Sequence, residues 1–66
     1  MNIKEFEKYL KKEGGYYYRS NITVHYYEDE ETGKCGFWGN YKGDETEDFD
    51  SLQALMDAHS WVELPV

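Results

Sequence analysis

The chain of 66 residues contains a single cysteine, Cys35, and a single proline, Pro65. One thiol excludes an intrachain disulfide, and a lone thiol fits a reducing compartment. No stretch approaches the roughly 18 apolar residues of a membrane span. The opening Met1-Asn2-Ile3-Lys4-Glu5-Phe6-Glu7 has none of the apolar run of a signal peptide. The expectation is a cytoplasmic protein without membrane contact. Histidine is scarce too, with only His25 and His59. Structural zinc wants four ligands, commonly in close pairs, and His25, Cys35 and His59 form no C-x2-C or H-x3-H pair. The acidic runs lack EF-hand spacing. Neither G-x-x-x-x-G-K-[ST] nor G-x-G-x-x-G occurs, so Gly33, Gly36, Gly39 and Gly43 read as turns and close packing rather than a phosphate loop. Cys35 shares strand parity with Phe37 and reads as a small core residue, not a nucleophile. His59 reads as packing rather than a base. No metal, no cofactor and no catalytic set is expected.

What is present is aromatic and acidic. Two tryptophans, seven tyrosines and three phenylalanines in so short a chain argue for a folded domain spanning residues 1–66 rather than a disordered acidic tail. The charge is unevenly placed. Residues 1–42 carry seven acids (Glu5, Glu7, Glu13, Glu28, Asp29, Glu30, Glu31) and seven bases (Lys4, Lys8, Lys11, Lys12, Arg19, Lys34, Lys42). Residues 43–66 carry seven acids (Asp44, Glu45, Glu47, Asp48, Asp50, Asp57, Glu63) and no base, so they hold the whole net charge of -7.

Periodicity divides the chain into elements. Ile3, Phe6 and Leu10 recur at helical spacing, which predicts a helix over 3–13. Asn2 and Glu5 form a capping box at its start, and Gly14-Gly15 stops it. Residues 16–28 alternate with period two. They form one long strand or, as favoured by the usual strand length, two strands divided at Arg19-Ser20-Asn21. Glu31-Thr32-Gly33-Lys34 reads as a hairpin turn into a strand from Cys35 to Lys42, which pairs with residues 22–29. Lys42-Gly43 then ends the sheet, and Asp44–Asp48 is a charged loop. Asp50 caps a second helix with Gln53 at N3 and a Phe49/Ala54 staple. Leu52, Leu55, Met56 and His59 form its apolar stripe, followed by Trp61, Val62 and Leu64. The implied fold class is α+β: helix, two- or three-stranded antiparallel meander, helix (αββα or αβββα), with both helices on one sheet face. The other face would display Tyr17, Thr23, His25, Tyr27 and Trp38 to water.

Two surfaces qualify as sites. The first is a pair of acidic clusters, Glu28-Asp29-Glu30-Glu31 at the hairpin tip and Asp44, Glu45, Glu47 and Asp48 before the second helix. Solvation and the helix dipole account for Asp48 and Asp50. Four adjacent like charges at Glu28–Glu31 exceed what solubility needs. The second surface is the outward aromatic set Tyr17, Tyr27 and Trp38, residue types enriched at binding hot spots. An aromatic sheet also suits single-stranded RNA, but a net charge of -7 repels phosphates, so no direct nucleic-acid binding is expected.

The order helix, meander, helix resembles the double-stranded-RNA-binding fold. No basic helix start is present to grip phosphates, so that resemblance implies no role here. The short chain, the acid excess, the half without bases and the aromatic content together resemble the small acidic proteins of phages and mobile elements that inhibit host defence, notably anti-CRISPR and DNA-mimic anti-restriction proteins. That resemblance implies a non-catalytic inhibitor whose carboxylates occupy the basic, nucleic-acid-binding groove of a partner protein. The alternative is a regulatory or adaptor module docking through its tyrosine-rich sheet face, with a homodimer burying that face as a further option.

Overall fold

A computed structural model describes residues 1–65. In chain order it contains α1 (Ile3–Lys12), β1 (Tyr16–Arg19), β2 (Ile22–Glu28), β3 (Cys35–Tyr41), β4 (Asp44–Glu45) and α2 (Leu52–Ala58). The strands form one antiparallel sheet in the order β1-β2-β3-β4. The fold is α+β, with both helices packed on the sheet. No helix among the described residues is long and apolar enough to cross a membrane.

α1 begins where a capping box satisfies two orphan backbone donors. Asn2 Oδ1 accepts from the Glu5 amide at 2.9 Å, and Glu5 Oε1 accepts from the Asn2 amide at 3.2 Å. The helix buries Phe6 and Leu10 completely. With Val24, Phe37, Leu52, Leu55 and Val62 they make the core. This core lies between the helices and one face of the sheet. Among the described residues, the tail after α2 adds no strand. It folds back so that Val62 is buried and Trp61 lies against Gly39, where a β-carbon would sit 2.9 Å from the indole ring.

The strand register decides which side chains share a face. β1 and β2 join through Ser20 and Asn21, both at positive φ (45° and 70°), as a type I′ hairpin requires. The missing glycine does not prevent the turn, because asparagine tolerates this region better than most residues. Tyr17 therefore faces Val24, and Tyr16 faces His25. A two-residue turn reverses parity between strands: odd positions of β1 share a face with even positions of β2. Tyr17 thus lies on the core face, with its ring edge-on to Phe6 at 5.1 Å. This corrects its expected place on the open face, which assumed unbroken alternation through residues 16–28. β2 and β3 pair from Ile22 with Tyr41 to Glu28 with Cys35, close to the register predicted from the turn.

Three further expectations are corrected. The sheet does not end at Lys42-Gly43, because Asp44–Glu45 adds a fourth strand against Asn40 and Tyr41. Cys35 is exposed at the start of β3 rather than in the core. The cap of α2 is Ser51, whose hydroxyl accepts from the Ala54 amide at 3.1 Å, and not Asp50. Phe49 is held back by its bridge to Phe37, so the helix starts one residue later than the pattern implies. Ser51→Ala should lower stability by about 1 kcal/mol in urea denaturation. Asp50→Ala should leave the midpoint nearly unchanged, and the reverse order would restore Asp50 as the cap.

Candidate functional site

The first acidic cluster is built on the β2–β3 hairpin. The Asp29 amide donates to the Lys34 carbonyl at 2.7 Å and the Gly33 amide to the Asp29 carbonyl at 2.8 Å. Asp29 Oδ1 accepts from the Glu31 amide at 3.0 Å, an Asx-type contact that orders the tip. Gly33 supplies the required positive φ of 73°. Asp29 is thus partly structural, whereas Glu30 and Glu31 are exposed and make no side-chain hydrogen bond among the described residues.

The second cluster is an edge, not a loop. After Asp44–Glu45, the Thr46 amide donates to the Gly39 carbonyl at 2.8 Å, and the Gly39 amide donates to the Thr46 hydroxyl at 3.0 Å. Phe49 then exchanges two backbone bonds with Phe37, both 2.8 Å. Residues 45 and 49 lie opposite 40 and 37, so this segment holds one residue more than β3 does, a bulge. Asp44, Glu45, Glu47, Asp48 and Asp50 consequently run along the outer edge of β3 and are all exposed. Asp44 and Glu45 stand at the end of β3 away from the hairpin tip. Asp48 and Asp50 reach the hairpin end, where with Tyr27, Lys34 and Cys35 they border a shallow cavity of about 540 Å³.

Tyr27 records this convergence. Desolvation of the half-buried ring raises its phenol above the ordinary value, and Asp48, Asp50, Cys35 and Asp29 push it the same way. Carboxylates from both clusters therefore act on one side chain. Glycine at 36 makes room for this ring, because a β-carbon there would sit 2.8 Å from Tyr27 Cε1. The acids are largely without counter-ions. Glu47 lies 3.5 Å from His59 Nε2, and among the described residues the other seven of the eight predicted carboxylates form no ion pair. Lys34, at the border of the cavity, is the basic side chain placed beside them there.

The open sheet face carries a row of rings. Tyr16 meets His25 edge-on at 5.3 Å, and His25 stacks on Trp38 at 4.1 Å with planes 12° apart. His25 Nε2 lies 2.9 Å from the Thr23 hydroxyl. Tyr27 and Trp38 are on this face as expected, and the register adds Tyr16 and Tyr18. Sequence parity missed those two, and the only signal for them was the Ser20-Asn21 turn. Burial lowers the His25 pKa from 6.5, while the Glu45 carboxylate opposes the shift. The folded state therefore favours the neutral ring. Its contribution to stability is full above pH 6.5 and is lost as pH falls through the lower folded value. Between about pH 7.5 and about pH 5, wild type should lose more thermal stability than His25→Gln. Parallel melting curves for the two proteins would refute this. The comparison cancels His59 and the carboxylates, which both proteins share.

A second cavity, of about 300 Å³, opens on the core side near the β1–β2 turn. Tyr17, Ile22, Val24, Tyr41 and Trp61 line it, and Arg19 pairs with Glu63 at 3.8 Å beside it. No local pattern foretells it, because its wall is the tail after α2. Among the described residues, no group of three or more His, Cys, Asp or Glu is arranged to hold a metal ion. Comparison of the chain with protein-family models, curated proteins and solved structures finds no match.

Proposed function

We propose that this is a non-catalytic binding protein whose acidic edge and hairpin tip dock onto the basic, nucleic-acid-binding surface of a partner protein and block it. The observation that carries this reading is that an acidic sheet edge, Asp44 to Asp50, runs toward the acidic hairpin and brings Asp48 and Asp50 beside Tyr27, close to Asp29. A ladder-fixed edge is a rigid display. Strand geometry advances about 3.3 Å per residue, similar to the rise of about 3.4 Å along the helix axis per phosphate of one DNA strand. Five of the seven residues from Asp44 to Asp50 are acidic. Such an edge can stand in for a phosphate backbone in a lysine- and arginine-lined groove, and its field speeds the encounter.

The aromatic row favours a second reading, an adaptor that docks through Tyr16, Trp38 and their neighbours. Salt separates the two. Acid-led binding weakens steeply as ionic strength rises, whereas aromatic docking changes little. The test captures partners on the immobilised protein at low salt after nuclease treatment. Each captured protein is then titrated with salt and challenged with duplex DNA. Salt-sensitive, DNA-competed binding supports the acidic reading, and salt-insensitive binding replaces it with the adaptor.

A further inference from the structure

The two edges of the sheet are unlike. The β4 edge is protected against strand pairing in three ways that natural sheets use: a two-residue strand, a bulge and a row of carboxylates. The β1 edge has none of these. It reads Tyr16-Tyr17-Tyr18-Arg19, with no proline, no acid and no bulge. Tyr16 and Tyr18 are 48% and 58% exposed and are among the most exposed large apolar side chains.

The hydrogen-bond phase of β1 fixes what this edge offers. The Tyr26 amide donates to the Gly15 carbonyl at 2.7 Å. Bonding alternates along an antiparallel ladder, so residues 15, 17 and 19 turn their amides and carbonyls toward β2. Those of Tyr16 and Tyr18 point outward. Among the described residues, nothing else hydrogen-bonds to them. Two amides and two carbonyls therefore line a free edge two residues apart.

We propose that a second copy of this chain pairs antiparallel with β1 across a two-fold axis at Tyr17, giving an eight-stranded sheet. Tyr16 of one copy then lies opposite Tyr18 of the other, and all four outward amide groups find carbonyls. This register is the one that both matches the bonding phase and centres on the exposed pair. It also keeps each core face on the same side, since directly opposed residues of an antiparallel pair share a face. On the open face the row Trp38, His25, Tyr16 continues into the tyrosines of the second copy. Such aromatic cross-strand pairs stabilise sheets.

The two-fold register makes the edge complementary to itself, which selects a second copy as the occupant. Charge leaves this edge as the place where two copies repel least. The net charge of -7 opposes self-association wherever acids meet acids. Pairing through β1 puts the two acidic β4 edges at opposite ends of the sheet. Seven strand spacings of about 4.8 Å separate them by roughly 34 Å, well beyond a Debye length of about 8 Å. The contact leaves the acidic rim free, so it is independent of the proposed function. A small domain that buries little surface by itself gains from covering exposed tyrosines.

Sedimentation equilibrium tests the proposal. The wild type should rise from 7.9 kDa toward twice that mass as its concentration approaches about 1 mM. Tyr18→Pro removes an outward amide but no bond to β2, so it should remain a folded monomer. Tyr16→Lys with Tyr18→Lys should do the same by placing like charges in opposition. This double variant provides the reading if the proline variant fails to fold, with circular dichroism confirming the native sheet. A wild type that stays monomeric at the highest concentration overturns the proposal. So does a folded lysine variant that dimerises as well as wild type.

Discussion

Gly15→Ala is expected to remove most of the stability of the domain. Gly15 is buried at φ 77°, and a β-carbon there would lie 2.3 Å from the Tyr26 carbonyl oxygen and 2.7 Å from the Tyr26 nitrogen. Both are backbone atoms of the neighbouring strand. They cannot yield without breaking the bond from the Tyr26 amide to Gly15. The left-handed conformation costs a non-glycine residue about 1–2 kcal/mol. Overpacking typically adds about 1–3 kcal/mol. A domain of this size has roughly 3–10 kcal/mol in total, so the variant should be largely unfolded or close to it. Gly14→Ala is the matched control. Gly14 has nearly the same φ, 79°, but no atom within 4 Å of the added carbon. It should lose only the conformational part, about 1 kcal/mol. Equal urea midpoints for the two variants would show that the strand contact at Gly15 is softer than its distances imply.

Neutralising the acidic rim should abolish partner binding and leave the fold intact. One set is Glu28→Gln, Asp29→Asn, Glu30→Gln and Glu31→Gln, and the other is Asp44→Asn, Glu45→Gln, Glu47→Gln and Asp48→Asn. Together they remove eight negative charges and move the formal net charge from -7 to +1. Asparagine at position 29 retains the acceptor that orders the hairpin tip. Asp50 is left in place so that the entry to α2 is not altered. Association should slow by roughly 10- to 1000-fold through lost steering, and the salt dependence should flatten. Stability should hold or rise, because the clusters lack counter-ions apart from the Glu47–His59 contact. Tyr16→Ala with Trp38→Ala on the open face is the control. If that pair destroys binding while the eight neutralisations do not, the carboxylates serve solubility and the adaptor reading takes over.

How far these sites could be read from the chain depended on whether the signal was local. The α1 cap was legible because Asn2 and Glu5 satisfy each other within one turn. The β2–β3 register was legible because Gly33 sets a short turn and the strand periods on either side are clean. Tyr17 was misplaced although strand length favours a turn at Arg19-Ser20-Asn21, because the faces were assigned by unbroken alternation and a two-residue turn inverts the parity of every residue before it. β4 was missed for a different reason. Asp44–Asp50 has the composition of a solvated loop, and its strand character comes from the partner groups of Gly39, Asn40 and Tyr41 rather than from its own propensities.

The sequence by itself therefore determined the class of the molecule: a small α+β domain with one apolar stripe on each helix, an antiparallel meander, and all net charge after residue 42. These follow from period, capping and composition, each readable within a few residues. Only the tertiary structure decided that Asp48 and Asp50 come beside Tyr27 at the hairpin end of the sheet, that Tyr16 and Tyr18 rather than Tyr17 face outward, and that one sheet edge is protected while the other is bare. Those are relations between residues far apart in the chain. They arise from strand order and hydrogen-bond phase, which local sequence constrains only weakly.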